Sequence, residues 1–137
     1  MRRRWLLFGL PLVTLRSALA AAAATATIRG KLATSKTNPE LQTSDGRRIP
    51  LSGDAPTTGV LGDDRLQGVD FEATGTQGEN KFQIDPIHTK AMYVLKNSKK
   101  LFITYWCDVC YIRTYTPGIC WCCQKETDLD LRESISD

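Results

Sequence analysis

The stretch Val69–Gly75, VDFEATG, alternates strictly between apolar and polar side chains. Its odd-numbered positions up to residue 73 are apolar (Val69, Phe71, Ala73), and the positions between them are polar. Successive side chains on a β-strand point to opposite faces, so this alternation is typical of a strand with one buried face. The segment therefore predicts a strand whose apolar side faces a core.

Similar short segments recur on both sides of this stretch, separated by turn signals. The predicted strands are Thr27–Ala33, Arg47–Gly53, Val69–Gly75, Lys81–Ile87 and Ala91–Trp106. The third and fourth form a hairpin that turns at TQGEN, and the last folds into a hairpin at Asn97-Ser98. One turn of helix is predicted near Asp63–Leu66, and no segment of ten or more residues has a helical apolar period. We therefore predict an all-β fold, a small OB-like barrel with a C-terminal Cys-rich β-hairpin. Its predicted core residues are Phe71, Ile84, Val94 and Phe102.

The first 20 residues have the features of a secretory signal peptide. A basic start, Arg2–Arg4, precedes an apolar run from Trp5 to Leu15, and Ala18-Leu19-Ala20 is a small-x-small cleavage signal. The apolar run is about 11 residues long, shorter than the roughly 20 that a membrane-spanning helix needs. We predict an exported protein, periplasmic or secreted, with no membrane anchor after signal cleavage. The arginines fit both an ordinary and a twin-arginine signal.

Cleavage after residue 20 changes the charge balance. The whole chain has 18 Lys+Arg and 15 Asp+Glu, and four of the arginines lie in the leader, so 14 basic and 15 acidic residues remain. The formal net charge of the mature chain is then −1. A nucleic-acid-binding domain usually carries a basic face, whereas the basic groups at Arg47-Arg48 and Lys96–Lys100 read as solvated turns. We therefore predict no nucleic-acid partner.

All five cysteines lie in the segment Tyr105–Thr127, YWCDVCYIRTYTPGICWCCQKET. The segment contains two C-x-x-C pairs, Cys107/Cys110 and Cys120/Cys123. A C-x-x-C turn lets two sulfurs point into one pocket, so two such turns supply the four thiolates of a tetrahedral zinc site. We predict that these four cysteines bind one metal ion, zinc, with iron as the alternative metal. Cys122 is then a spare thiol.

The residues between the two pairs raise a difficulty for this site. Pro117-Gly118 suits the centre of a type II turn, and a regular hairpin about it would make Cys110 and Cys123 diagonal neighbours. Cys120 would point to the other face, so four converging sulfurs require the CWCC segment to leave strand geometry and form a tight turn. Disulfides are common in exported proteins, and Cys110–Cys123 is the easiest bridge. A disulfide-stapled interaction domain without a cofactor therefore remains an alternative.

Enzymatic chemistry has little support. The chain has one histidine, His88, and no Ser-His-Asp arrangement, so a hydrolytic nucleophile would lack its base. We assign no catalytic residue. An envelope thiol-disulfide oxidoreductase using Cys107 and Cys110 is a further alternative, although its C-x-x-C pair would belong at a helix N-terminus, and no βαβ unit surrounds Cys107.

Other polar and aromatic residues near the cysteines have plainer interpretations. His88 is predicted to be a surface residue of a turn, and Asp63-Asp64 a loop cap. Arg113 is predicted to pair with an anionic centre or with a surface acid. The aromatic residues of the block are predicted to be core at a β-rich end: Tyr105, Trp106, Tyr111, Tyr115 and Trp121.

The pattern GKL…DGRRIPLSGD…DRLQGVDFEATG…KFQIDPI resembles the OB-type modules of exported bacterial proteins. Together with the block TYWCDVCYIRTYTPGICWCCQ, it is similar to a family of small exported bacterial proteins of unassigned function, over roughly Ile28 to Leu131. The resemblance implies one OB-like β domain with a C-terminal CxxC…CxCC block. It implies no activity.

These inferences divide the chain into four parts. They are a signal peptide (1–20), a spacer (21–26), a β-barrel domain (27–131) that includes the Cys-rich hairpin (105–127), and a tail (132–137). The sequence predicts an exported binding or assembly module with a structural four-cysteine zinc site. Its partner is an unidentified protein or small molecule.

Overall fold

Nine β-strands supply most of the regular structure in residues 25–135, the part of the chain that the computed structural model describes. The strands are β1 (Thr25–Ala33), β2 (Glu40–Gln42), β3 (Arg48–Ser52), β4 (Asp70–Gln77), β5 (Phe82–Ile84), β6 (Met92–Lys96), β7 (Lys99–Cys107), β8 (Ile112–Thr114) and β9 (Asp128–Arg132). Two short helices, α1 (Ala55–Leu61) and α2 (His88–Ala91), lie between them. The predicted all-β class is confirmed. The predicted signal peptide lies outside the described residues.

Five of the strands close into a ring. β1 pairs with β2, β2 with β3, β3 with β5, β5 with β4, and β4 returns to β1. These pairings are antiparallel except for β3–β5, which is parallel and sets Leu51 opposite Phe82. The ring differs from the predicted set of strands, because it contains β2, which lies between the first two predicted strands. The predicted fifth strand, Ala91–Trp106, instead forms β6 and most of β7 outside the ring.

The remaining strands extend the sheet from β4. β6 pairs with β4, and β7 pairs with β6 across a turn in which Asn97 and Ser98 have φ values of 52° and 64°. This is the predicted hairpin, and left-handed residues at both turn positions suit the twist of its strands. β6 and β8 then follow one edge of β7, and β9 follows the other edge. β7 therefore connects the ring to the cysteine block.

The core is one cluster of buried apolar side chains. Phe71, Ile84 and Val94 are at most 3% exposed, as predicted. The prediction for Phe102 is wrong: this ring is only partly buried and meets the Tyr93 ring edge-on, with 5.2 Å between centroids. The reason is that LFITYW is apolar on both faces, so its alternation does not determine which face is inward. Ile103 takes the inward position instead, at 6% exposure.

Helix α1 lies between the second and third predicted strands, at a position where no helix was predicted. Asp54 caps it by accepting a hydrogen bond from the backbone N–H of Thr57 at 3.1 Å, and Pro56 lies in its first turn, as is usual at helix starts. Its seven residues are too few for a helical period to stand out. The predicted helical turn near Asp63 is present as a 3₁₀ helix, Asp64–Leu66. Within residues 25–135, no helix combines the length and the apolar character needed to cross a membrane.

Candidate metal centre

The first C-x-x-C pair lies in the turn between β7 and β8. Cys107 is the last residue of β7 and pairs with Ile112 in β8. The backbone N–H of Tyr111 donates to the carbonyl oxygen of Cys107 at 2.9 Å, and Tyr111 has a φ of 54°. The backbone N–H of Cys110 points at the sulfur of Cys107, 3.4 Å away. The chain therefore turns so that both sulfurs face the same side.

The second C-x-x-C pair forms a turn of the same kind. The backbone N–H of Gln124 donates to the carbonyl oxygen of Cys120 at 2.8 Å, and Gln124 has a φ of 62°. The backbone N–H of Cys120 donates to the carbonyl oxygen of Lys125 at 2.7 Å, and Ile119 bridges to Glu126. Residues 121–123 therefore form a turn and not a strand. A turn in this segment is what we expected to be necessary for the four sulfurs to converge.

The predicted hairpin about Pro117-Gly118 is wrong. β8 pairs with β7 rather than with the second C-x-x-C segment, so each pair lies at the tip of its own hairpin. The physical reason is that the first C-x-x-C turn itself reverses the chain, and Pro117-Gly118 only connects the two hairpins. Cys110 and Cys123 are therefore not cross-strand neighbours, and the argument that favoured a disulfide between them does not hold.

The two turns bring four sulfurs together. The Sγ atoms of Cys107, Cys110, Cys120 and Cys123 all lie within 4.8 Å of one another. The Sγ atoms of Cys107 and Cys123 are 3.5 Å apart, much longer than the S–S bond of about 2.05 Å in a disulfide. A tetrahedral site with Zn–S bonds of about 2.3 Å places its sulfurs about 3.8 Å apart. The four sulfurs therefore lie close enough together that they could hold one metal ion.

Burial and hydrogen bonding suit this chemistry. Cys107 and Cys120 are buried, at 3% and 1% exposure, and Cys110 and Cys123 are half-buried. Hydrogen bonds from the backbone N–H groups, chiefly that of Cys123, lower the pKa of Cys120 to about 7, despite the opposing effect of burial. A metal binds the thiolate form, so a thiol that ionises near neutral pH is a ready ligand. Two turns of matching geometry and one acidic thiol are the chemical features of the centre.

A chain of hydrogen bonds ties the second turn to the 3₁₀ helix. Thr127 donates from its backbone N–H and from its hydroxyl to the carbonyl oxygen of Gly118, at 3.0 and 2.9 Å. Arg65 donates from Nη1 to the carbonyl oxygen of Thr127 at 2.8 Å, and Asp63 holds the Arg65 guanidinium with both carboxylate oxygens. Sequence reasoning missed Arg65 and Thr127, because the two residues are 62 positions apart. The consecutive residues Asp63, Asp64 and Arg65 were the only local sign in the sequence of an ion pair at this position.

His88 makes a second connection to the block. Its Nε2 lies 2.9 Å from the carbonyl oxygen of Tyr115, and the imidazole is not among the clustered ligand atoms in the described residues. Arg113 pairs with Asp130 at 2.8 Å and lies over the Trp106 ring, 4.8 Å from its centroid. Of the two partners predicted for Arg113, the structure thus has the surface acid.

The aromatic residues of the block divide into two groups. Tyr105 is fully buried, as predicted. Tyr111 and Trp121 are 75% and 78% exposed, so the prediction that they are core is wrong. Each lies at the tip of a C-x-x-C turn, where the backbone geometry that directs the sulfurs inward leaves these side chains facing outward. Val109 and Ile119 are exposed nearby in the sequence.

Comparison with known proteins finds no family model, curated protein or solved structure that matches this chain. The resemblance to exported OB-type modules therefore stays a prediction. The Cys-rich cluster near the C-terminus is present in the structure, and its chemistry is the basis for assigning a role.

Proposed function

We propose that the protein is an exported β-domain that binds one zinc ion through Cys107, Cys110, Cys120 and Cys123, and that the metal has a structural role. The observation that carries the proposal is the convergence of four sulfurs within 4.8 Å on two turns of matching geometry. A fully thiolate, four-ligand set leaves no open position for a substrate, which is the pattern of structural rather than catalytic zinc.

The structural role follows from what the metal would join. The first turn belongs to the β7–β8 hairpin, and the second lies between Ile119 and Glu126, outside any extended strand pairing. Within the described residues, the second turn has few regular strand contacts of its own. A bound ion would link the two turns and contribute directly to the folding of residues 105–127.

The oxidoreductase alternative is less well supported. Cys107 and Cys110 lie in a turn between two strands, whereas a redox C-x-x-C pair usually has its thiol activated at a helix N-terminus. Iron remains the alternative metal, because four thiolates also bind iron. The two metals differ in a simple observable, since ferric thiolate sites are coloured and zinc sites are not.

We further propose that the five-stranded ring is an OB-type barrel and that the protein is a binding or assembly module. The closed strand order β1-β2-β3-β5-β4-β1, with α1 between β3 and β4, supports a Greek-key barrel of this type. Four of the five exposed large apolar side chains in residues 25–135 lie on the cysteine block: Val109, Tyr111, Ile119 and Trp121. Exposed aromatic groups on a rigid tip are typical of a contact surface for a partner.

Metal analysis of protein purified from its native compartment tests the central proposal. We expect about one zinc per chain, and five alkylatable thiols after the metal is released. Cys107→Ser or Cys120→Ser is expected to abolish stoichiometric zinc binding. Cys122→Ser is the matched control, because it removes a thiol from the same turn that is not among the four ligands, and it should retain the metal.

The rival states give different results in the same experiment. Two disulfides would leave one alkylatable thiol and no metal, and this outcome would refute the metal site. Export is tested separately by N-terminal sequencing of envelope protein, which should begin at or near Ala21. Recovery of an intact Met1 from that fraction would contradict export.

A further inference from the structure

An open cleft of about 570 Å³ lies on the sheet beside the first C-x-x-C turn. The residues that line it are Trp106, Tyr111, Arg113, Asp130 and Arg132. Four of these five residues belong to β7, β8 and β9, so the cleft is formed by strands outside the five-stranded ring. Its volume falls within the roughly 300–1,000 Å³ of typical ligand sites.

Strand register places the lining residues on one face of the sheet. Trp106 pairs with Arg113 across β7 and β8, and Thr104 pairs with Asp130 across β7 and β9. Opposed residues share a face of a sheet, and so do residues two apart on one strand. Tyr105 lies between Thr104 and Trp106 and is fully buried in the core, on the opposite face. The cleft therefore opens on the side of the sheet away from the core.

Tyr111 presents an aromatic ring to this cleft. The residue is 75% exposed, and its ring meets the Trp106 ring edge-on, with 6.1 Å between centroids. The Arg113 guanidinium lies over the Trp106 ring, 4.8 Å from its centroid, so Trp106 contacts both a cation and a second ring. An exposed ring supported in this way is a stacking surface whose position is set before a ligand binds.

The polar groups of the cleft include both donors and acceptors. Nη1 of Arg113 and Nη1 of Arg132 both donate to Oδ2 of Asp130, at 2.8 and 3.2 Å. These bonds use one oxygen of Asp130 and one nitrogen of Arg132, whose side chain is 47% exposed. A ligand can therefore donate to Oδ1 of Asp130 and accept from Nε and Nη2 of Arg132.

We propose that this cleft binds an acidic oligosaccharide, with one uronic-acid unit stacked on Tyr111 and its carboxylate paired with Arg132. Hydroxyl groups of the same unit donate to Oδ1 of Asp130. The proposal rests on the role as a binding module put forward above, for which it names a ligand class, and it does not depend on the metal.

Each part of the cleft matches one part of a uronic-acid unit. The C–H face of a sugar ring is apolar and packs on an aromatic ring. The fork of a guanidinium pairs with a carboxylate through two parallel hydrogen bonds. Sugar hydroxyls both donate and accept, which suits a cleft that offers a carboxylate beside guanidinium groups.

Other polymers match the cleft less well. A polyphosphate is drawn to an excess of basic groups, whereas the chain beyond residue 20 has 14 basic and 15 acidic residues. An apolar peptide side chain needs an apolar pocket, whereas three of the five lining residues here are charged. The charges and the single exposed ring therefore favour the acidic saccharide.

Isothermal titration calorimetry of the full chain tests the proposal, with trimers of galacturonate and of mannuronate as probes. We expect saturable binding of at least one trimer. Its methyl ester, which keeps the sugar rings but lacks the carboxylate charges, should bind at least about tenfold more weakly. Tyr111→Ala and Arg132→Ala should each weaken binding of the acidic trimer by a similar factor, because they remove the stacking ring and the guanidinium fork.

The chain offers a matched control for each substitution. Trp121→Ala removes an aromatic residue that is 78% exposed at the tip of the other C-x-x-C turn and does not line the cleft. Arg47→Ala removes an exposed arginine that pairs with Asp45, away from the cleft. Both variants should bind the trimer like wild type. Zinc content and thermal unfolding of every variant show whether the metal site and the fold are retained.

Three results would overturn the proposal. They are failure of both acidic trimers to bind folded wild-type protein, equal affinity for the acid and its methyl ester, and equal weakening by the control substitutions. The outcome is separable from that for the metal. Trimer binding by protein that contains no zinc would refute the metal site alone, and zinc-loaded protein that binds neither trimer would refute the saccharide site alone.

Discussion

Glu72 is a single charged residue held inside the sheet by two cations. It is 2% exposed, and its carboxylate oxygens lie 2.7 Å from Nη2 of Arg29 and 2.9 Å from Nζ of Lys100. Burial raises the pKa of Glu72, but the hydrogen bonds and charges of Lys100 and Arg29 outweigh it, so the pKa lies below its usual value. Both cations are more than half exposed, which limits the strength of the pairs.

The lowered pKa of Glu72 predicts a contribution to acid sensitivity. The folded-state pKa lies below the unfolded value of about 4.3, so the stabilisation is fully present above that pH and is lost as pH falls through the folded-state pKa. Glu72→Gln should lower the free energy of unfolding at pH 7 by about 1–3 kcal/mol and flatten its decline below about pH 4. Urea unfolding across pH measures both effects.

Asp70→Asn is the matched control for Glu72→Gln, because Asp70 lies on the same strand. Its ion pair with Lys31 is exposed on both sides, at 59% and 60%, so its removal should cost less than about 1 kcal/mol. An equal effect of the two substitutions would argue against a special role for the buried carboxylate.

Tyr105 supplies a second prediction at this scale. Its side chain is fully buried, and its hydroxyl makes no hydrogen bond within the part of the chain that the structure describes. Tyr105→Phe removes a buried polar group without orphaning a partner, so the free energy of unfolding should stay within about 1 kcal/mol of wild type or rise. Thermal and urea unfolding provide the measurement. A loss of more than about 2 kcal/mol would mean that the hydroxyl has a partner, for which the nearby Asp63 is the candidate.

At the scale of elements, two glycines have opposite environments. A Cβ at Gly75 in β4 would lie 2.0 Å from the carbonyl oxygen of Gln83 in β5. A Cβ at Gly59 in α1 would meet nothing nearer than the Pro117 ring, at 3.9 Å. The first glycine permits the close approach of β4 and β5 that helps to close the ring, and the second only lowers the helix propensity of α1.

Alanine substitutions at these glycines should therefore differ in sign. Gly75→Ala is expected to destabilise the protein by more than about 2 kcal/mol, because the new methyl group would force the backbones of β4 and β5 apart. Gly59→Ala should stabilise it by about 0.5–1 kcal/mol, since alanine is the better helix former. Urea midpoints of the two variants make the comparison. Destabilisation by Gly59→Ala would indicate that α1 is not helical at this position.

An element could be predicted from the sequence when the residues that form it are close together in the chain, and could not when they are far apart. The β4–β5 and β6–β7 hairpins were predictable, because their turns and strands are contiguous and signalled locally. β2 and β9 were not, since β2 has only three residues and β9, alternating between aspartate and leucine, pairs with a distant part of β7. The spacing of the cysteines identified the four that cluster. It did not reveal that each pair lies in its own hairpin, which depends on the β7–β8 pairing.

At the scale of the whole molecule, the four-cysteine cluster and the five-stranded ring are connected but distinct. The core cluster, which joins the ring strands to β6 and β7, contains none of the four cysteines, whereas residues 115–127 are hydrogen-bonded to the rest of the chain through Arg65 and His88. Metal binding and folding would be coupled for the residues that the proposed ion joins. The two regions should therefore respond differently when the metal is removed.

Chelation of the proposed metal is expected to loosen the cysteine block while the ring persists. Amide hydrogen exchange in residues 105–127 should accelerate strongly, and exchange in β1 and β4 should change little. Mass spectrometry of peptides from holo and chelated protein provides the measurement, with Cys122→Ser as a control that should behave like wild type. Unfolding of the ring together with the block would show instead that the metal supports the entire fold.

The pairing of β7 with both β8 and β9 has a further consequence, for self-association. Among the strands of residues 25–135, β8 and β9 each pair on one side only, so both present backbone groups to which another chain could add a strand. β8 has only three residues, and three of the five residues of β9 are charged, Asp128, Asp130 and Arg132. A short edge and a charged edge both discourage strand addition and the growth of fibrils. The protein should therefore resist aggregation at high concentration even though its sheet ends in open edges.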